Sequence, residues 1–304
     1  MIFLWGLPGD GPISAVHGVL EERGAPVFFL DQRRALDTHA ELSVGDRPGG
    51  SLHQGGRTLE LGDVTAAYLR PHDSRKLPEV ARAGPGSAEW NHVSALEDIL
   101  LSWSELTDAL VLNRASAMAP NGSKPFQAMQ IQAFGFRTPE TLITTDPEAV
   151  LEFQARHGTL IYKSISGVRS IVSRLKPEHL GRLASLRWCP TQFQQHVPGV
   201  DHRVHVVGEA IFAARIVSTV DDYRYAARQQ GETGIERTEL PLDVAERCRR
   251  MAHALNLPVA GIDLRQTPEG EWYCFEVNPS PGFTWFQDST GDAIDQAIAD
   301  LLLG

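Results

Sequence analysis

Asp263, Glu276 and Asn278 fall on or just beyond two apolar segments, residues 259–265 and 271–277, joined by Pro268-Glu269-Gly270-Glu271. Such segments read as paired strands, and a two-residue loop at Glu269-Gly270 would set Asp263 directly opposite Glu276. Asn278, two residues further on, shares that face. Two carboxylates and an amide oxygen at one end of a hairpin make a hard-oxygen donor set, suited to Mg²⁺ shared with substrate phosphates. Opposed carboxylates repel each other unless a cation lies between them. An acidic hairpin facing water, with Asn278-Pro279 opening a turn, accounts for each residue alone but poorly for all three on an otherwise apolar pair of strands.

A second set suits phosphates. Lys163 ends an apolar segment and is followed by Ser164-Ile165-Ser166-Gly167-Val168-Arg169-Ser170. A loop of this kind can lay backbone N–H groups and hydroxyls over anionic oxygens while the lysine supplies a point charge; a surface hairpin with a snorkelling lysine is the alternative. Little in the loop can pack, so bound nucleotide is expected to order it. Lys124 opens a helix, and Arg203, Arg215 and Arg224 complete the cations from which a positive pocket can be built. Arg215 and Arg224 together suit a phosphate and a developing acyl phosphate.

Gln194-Gln195-His196-Val197-Pro198-Gly199 ends a strand at a turn. Such a hinge offers main-chain groups to an adenine edge, and Asp201 can accept ribose hydroxyls. His196, His202 and His205 straddle the turn and then alternate along a strand, a poor metal-ligand spacing. Gly6-Leu7-Pro8-Gly9-Asp10-Gly11 is a partial dinucleotide fingerprint interrupted by proline, the sole basis for an oxidoreductase reading.

The elements that must position these residues follow from periodicity. Residues 1–5, a helix with Ile13, Val16, Val19 and Leu20 at helical spacing, and residues 26–30 make a β-α-β opening. Residues 38–63 are Gly-rich and weakly patterned, residues 65–69 form a strand, and Trp90, Val93, Leu96, Leu100 and Leu101 mark a longer helix. Polar residues with Pro120 and Gly122 follow Leu112 and place a boundary there. Ser123 is expected to cap the next helix, with Phe126, Met129 and Phe134 as its apolar stripe. Asp146-Pro147 opens another helix, which Gly158 ends. Strands at 159–163, 191–196, 203–207 and 209–217, a polar segment at 218–237 and a helix at 243–255 lead to the acidic hairpin.

The 304 residues allow two or three lobes. A net charge of −10 provides no field to gather nucleic acid or an anionic membrane. Cys189, Cys248 and Cys274 are widely spaced and read as reduced packing residues. An opening without a basic n-region, and no apolar run of spanning length, make a cytoplasmic location the expectation.

In chain order, Lys124, Lys163 with its Ser/Gly loop, Gln195-His196-Val197-Pro198-Gly199-Val200-Asp201-His202-Arg203, Arg215, Asp263-Leu264 and Glu276-Val277-Asn278-Pro279-Ser280-Pro281-Gly282 resemble the ATP-grasp superfamily. The resemblance covers roughly residues 110–304 and is closest to the branch of ribosomal protein S6 modification ligases and the peptide maturases of graspetides. It implies an α/β protein of α+β lobes: an N-terminal β-α-β pre-ATP-grasp domain at 1–112, a central lobe at 113–190 and a C-terminal lobe with the metal site at 191–304. ATP and Mg²⁺ or Mn²⁺ would be the cofactors. Lys124, Lys163, Ser164, Ser166 and Gly167 would meet phosphates, Gln195, His196 and Val197 the adenine, and Asp201 the ribose. Asp263, Glu276 and Asn278 would hold the metal, and Arg203, Arg215 and Arg224 would line the phosphoryl-transfer side. Gln195-His196 departs from the glutamate and apolar residue of many relatives.

The implied activity is an ATP-dependent carboxylate–amine ligase working through an acyl phosphate, on a peptide or amino acid, with an ester formed where the acceptor is a hydroxyl. A nucleotide-binding regulatory or scaffold protein that keeps the cleft without turnover is the alternative. No nucleic-acid or membrane partner is expected, and homo-oligomerisation stays open.

Overall fold

The computed structural model describes residues 1–164, 172–218 and 233–304. The chain opens with β1 (Ile2–Gly6), α1 (Gly11–Glu22) and β2 (Val27–Asp31). The Gly-rich stretch then folds into short antiparallel strands, β3 (Thr38–Ala40), β4 (Ser43–Val44), β5 (Pro48–Gly49), β6 (Ser51–Gln54) and β7 (Arg57–Glu60). β8 (Ala66–Arg70), α2 (Pro78–Ala83), α3 (Ala88–Leu106) and β9 (Leu110–Leu112) complete a parallel sheet of order β2-β1-β8-β9. β1 is buried throughout because its two faces feed two cores. Phe3 and Trp5 pack with Val93, Leu96, Leu100 and Trp103 of α3, while Ile2 and Leu4 pack with Ile13, Val16 and Leu20 of α1. Coverage of both faces is what a parallel sheet requires.

α4 (Ala115–Met118) and α5 (Lys124–Gln132) lead to a second sheet. It comprises β10 (Thr141–Thr144), α6 (Pro147–His157), β11 (Leu160–Ser164), β12 (Ser173–Arg174), α7 (Pro177–Leu180) and β13 (Thr191–Gln195), with strand order β10-β13-β11-β12. Asp146 caps α6 by accepting from Glu148 N at 2.9 Å, and Gly158 ends it at φ +70°, as the sequence led us to expect. One sheet face carries Leu160, Tyr162 and Phe193 onto Val150 and Phe153 of α6. By strand alternation the other presents Ile161, Lys163, Gln192 and Gln194.

The third sheet is antiparallel: β14 (Val200–Val207), β15 (Ala210–Ser218), β16 (Thr233–Thr238), α8 (Leu242–Ala254), β17 (Val259–Gln266) and β18 (Trp272–Asn278), in the order β16-β15-β14-β17-β18. α9 (Thr284–Thr290) follows, and α10 (Ile294–Leu303) returns to the N-terminal sheet, where Ile294, Ile298 and Leu302 join the core of α1.

α5 departs from the stripe expected of it. Phe126 and Met129 are exposed, at 51% and 72%, whereas Gln127 and Ile131 are buried. The reason is the edge of β18, whose outward main-chain groups need partners. The Gln127 amide donates to Val277 O at 2.7 Å and accepts from Val277 N at 3.1 Å, standing in for a neighbouring strand. Ser123 holds the cap position but makes no side-chain cap bond. Replacing Gln127 by Ala should therefore strand two buried main-chain groups and destabilise the protein by about 1–3 kcal/mol in urea unfolding. Met129→Ser should change stability by no more than about 0.5 kcal/mol; the reverse ranking would contradict this account.

Candidate functional site

β17 and β18 pair Asp263 with Glu276, as the sequence suggested, but by another route. The loop has three residues rather than two: Gly270 N donates to Thr267 O at 2.9 Å with φ +85°, and Thr267 N donates to Glu271 O at 2.9 Å. That loop shifts the register by one, pairing Leu264 with Cys274. A bulge at Phe275 shifts it back, so Asp263 still meets Glu276. The bulge also leaves Phe275 and Glu276 both on the cleft wall.

Each carboxylate has a cation. Asp263 accepts from Arg203 Nη1 at 2.7 Å, and Glu276 is bonded to Lys124 at the start of α5. Lys124 also donates to Asn121 Oδ1 at 2.8 Å. The two acids are about a quarter exposed, at 26% and 25%, and open onto a cleft. Asn278 lies on the same strand opposite Gly261, its Oδ1 accepting from Ser280 N at 2.9 Å with a lone pair to spare. Among the described residues no group of three or more His, Cys, Asp or Glu side chains makes a metal cage. A divalent cation here would rest on two carboxylates, one amide oxygen and ligand phosphate, a donor set that fits Mg²⁺.

The opposite wall belongs to the second sheet. From it Lys163, His196 and Val197 line the cleft, and Asp201 of β14 joins the acids on the side of the third sheet. Gln195 does not line it; its Oε1 accepts from Glu140 N at 2.9 Å, outside the cleft. The neighbouring Gln194 faces the cleft instead, because alternation along β13 puts it beside Ile161 and two residues from Gln192, the partner of Lys163. Of the two glutamines, it is the Gln194 side chain that reaches the cleft, while the main chain at Gln195 stays at the end of β13.

Arg203 and Arg215 are not brought together. Arg215 is the register partner of His202, one residue out of phase with the Arg203–Asp263 pair, so its side chain leaves the other face of the sheet. It is exposed and 3.9 Å from Glu236. Arg203 is buried over the Phe286 ring, in space that exists because residue 261 is glycine: a Cβ there would lie 2.2 Å from the guanidinium. Ser166, Gly167 and Arg224 lie outside the described residues, as does most of the loop after Ser164, whose backbone ends β11.

Arg265 and Phe275 escaped the sequence reading. Arg265 holds Asp201 through both carboxylate oxygens, at 2.7 and 2.8 Å, and donates to Val197 O at 2.8 Å. Its guanidinium lies 5.1 Å from the Phe275 ring centroid. The signal was present as a repeated Asp-x-Arg, Asp201-His202-Arg203 and Asp263-Leu264-Arg265. Antiparallel pairing of the two triplets crosses the charges, joining Asp201 to Arg265 and Arg203 to Asp263. The histidines point to different partners: His202 to Val200 O, His205 to Arg203 and Gly282, and His196 to Arg174.

Residues 136–302, more than half of the chain, match the model of the RimK-like ATP-grasp domain. The chain belongs to that ATP-grasp family. The ATP-grasp ligase PsnB, in its structure with minimal precursor, Mg and ADP, is 29% identical with a TM-score of 0.77, covering 99% of this chain and 96% of that one. The macrocyclase MdnC from Microcystis aeruginosa MRC, bound with precursor peptide MdnA, is 25% identical with a TM-score of 0.81, covering 100% and 99%. A RiPP-associated ATP-grasp ligase from Chryseobacterium gregarium, with ADP and a leader and core peptide, is 23% identical with a TM-score of 0.81, covering 99% and 96%; it shows the fold alone. No curated protein sequence matches. ATP-grasp enzymes use ATP and Mg²⁺. No helix among the described residues is long and apolar enough to cross a membrane.

Two histidines of β14 are expected to make the fold less stable in acid. Burial, and then the charge of Arg203, push His205 well below the ordinary histidine range, and burial lowers His202. The native state stays neutral where the unfolded chain takes up a proton, so this stability is whole above about pH 6.5 and is lost as pH falls below it. Each histidine contributes a slope of up to about 1.4 kcal/mol per pH unit. In His205→Asn, the drop in urea midpoint between about pH 7.5 and about pH 5 should shrink relative to the parent. An unchanged drop would show that His205 is protonated in the fold.

Proposed function

We propose that this ATP-grasp protein is an ATP-dependent ligase that activates a substrate carboxylate as an acyl phosphate and passes it to an amine, on a peptide. The observation that carries the reading is Asp263 set opposite Glu276 at the mouth of a cleft whose facing wall bears Lys163. The likeness to PsnB and MdnC, whose structures contain precursor peptides, supports the peptide substrate.

Gln194, His196 and Val197 lie where a base edge would meet the end of β13, and Phe275 offers the base a flat apolar face. Asp201, held by Arg265, keeps acceptor capacity for ribose hydroxyls. Lys163 and Lys124 face the phosphates, with Lys124 exchanging its bond to Glu276 for phosphate oxygen. Asp263, Glu276 and Asn278 would hold Mg²⁺, which when bound neutralises charge on the transferring phosphoryl group. Arg203 fixes the Asp263 carboxylate. The substrate carboxylate attacks the γ-phosphorus in line, ADP leaves, and the amine then displaces phosphate from the acyl carbon. A hydroxyl acceptor would give an ester by the same route.

Two experiments test this. Glu276→Gln should fold as the parent does yet lose at least about 100-fold in ATP-dependent ADP formation, since an amide cannot match the charge of the carboxylate; full activity would remove Glu276 from the site. With a competent carboxylate, ATP and hydroxylamine should yield a hydroxamate and one phosphate per ADP. A stable phosphorylated hydroxyl would indicate a kinase, AMP with pyrophosphate an adenylating enzyme, and nucleotide binding without any product a scaffold.

A further inference from the structure

The C-terminal ends of β1 and β8 bring Asp10 and Arg70 together beside the turn that follows Asn278. Asp10 accepts from Ile13 N at 3.2 Å and so caps α1. Arg70 donates Nε to Asp10 Oδ1 at 2.8 Å and Nη2 to Oδ2 at 3.3 Å. Its Nη1 crosses to the C-terminal lobe, donating to Ser280 Oγ at 3.0 Å and to Pro281 O at 3.1 Å. Both side chains are largely buried, at 11% and 12% exposure. Burial alone would raise the Asp10 carboxyl, but the hydrogen bond and charge of Arg70 outweigh it and hold the group below the usual range.

Surface ion pairs rarely carry a role, but this pair spends its third donor on the chain that aims a candidate metal ligand. Ser280 N donates to Asn278 Oδ1 at 2.9 Å, so the position of Ser280 sets the rotation of that amide. Pro281 is confined from the other side by Gly261, where a Cβ would stand 2.7 Å from the proline Cβ. The planar guanidinium serves a carboxylate on one edge and two acceptors at another corner, which a lysine ammonium cannot reproduce.

We propose that Arg70, held by Asp10, is a positioning residue for the metal site: it fixes the turn at Ser280 and Pro281 and thereby orients the Asn278 amide oxygen beside Asp263 and Glu276. This rests on the metal reading given above. The N-terminal lobe thus acts on the metal without supplying a ligand to it.

The test is Mn²⁺ binding to the full chain in the presence of ADP, followed by electron paramagnetic resonance, with ADP affinity in chelator measured alongside. Arg70→Ala should weaken Mn²⁺ by about tenfold or more, and Arg70→Lys should not restore it, while ADP affinity in chelator stays at the parent value. Ser280→Ala, which leaves the Arg70–Asp10 pair in place, should weaken Mn²⁺ about threefold. Adding it to Arg70→Ala should cause no further loss, because both changes break one connection. Unchanged Mn²⁺ affinity in either single variant, or independent losses in the double variant, would overturn the role of Arg70. A parent chain that binds no Mn²⁺ with ADP would instead overturn the metal reading, and this inference with it.

Discussion

The crossed ion pairs between β14 and β17 are the constraint on which the cleft depends. Asp201 with Arg265 and Arg203 with Asp263 occupy neighbouring rungs of one antiparallel ladder, so a slip of one residue would break both pairs and turn every side chain to the wrong face. The first pair reaches Val197 through Arg265 and ties the end of the second sheet to the third. The second sets the direction of Asp263 toward Glu276. Partly buried ion pairs of this kind, the Asp201–Arg265 pair bidentate, specify register more than they add stability.

The acidic hairpin is also supported from outside the sheet. Gln127 closes its open edge, and Asn113 accepts from Val259 N at 3.3 Å and donates to Val259 O and Pro279 O, joining the first residue of β17 to the residue that follows β18. Both amides come from residues 113–132, the connection between the N-terminal sheet and the second sheet. That connection therefore behaves as part of the site's frame, and its buried Asn113 and Gln127 amides pair main-chain atoms that an apolar residue in either place would leave unpaired.

Charge within the cleft is interleaved rather than segregated. A chain of net charge −10 still assembles Lys124, Lys163, Arg203 and Arg265 around Asp201, Asp263 and Glu276. Opposed carboxylates are tolerable because each has a cation at hydrogen-bond distance. In the proposed reaction an anionic nucleotide and a divalent cation would each exchange partners with these groups, so the net charge of the chain is no bar to that proposal.

Much of this was legible in the residue order. Periodicity identified the β-α-β opening and the capped helix after Asp146, and the Asp263, Glu276 and Asn278 spacing identified the acidic hairpin, because strand alternation and helix caps are local rules. Tertiary contacts decided the rest. Gln127 rather than Phe126 or Met129 became the buried residue of α5 because an edge strand needed its amide. Gln194 rather than Gln195 faced the cleft because pairing across β13 chose the parity. The loop after Gln266 and the bulge at Phe275 shifted the register in opposite directions and left Asp263 opposite Glu276, so a correct pairing came from an incorrect turn. Arg215 separated from Arg203 because their strands place them one residue out of phase. Residue order determined which chemistry was available; the pairing of distant strands, which no local rule encodes, decided which side chains could share it.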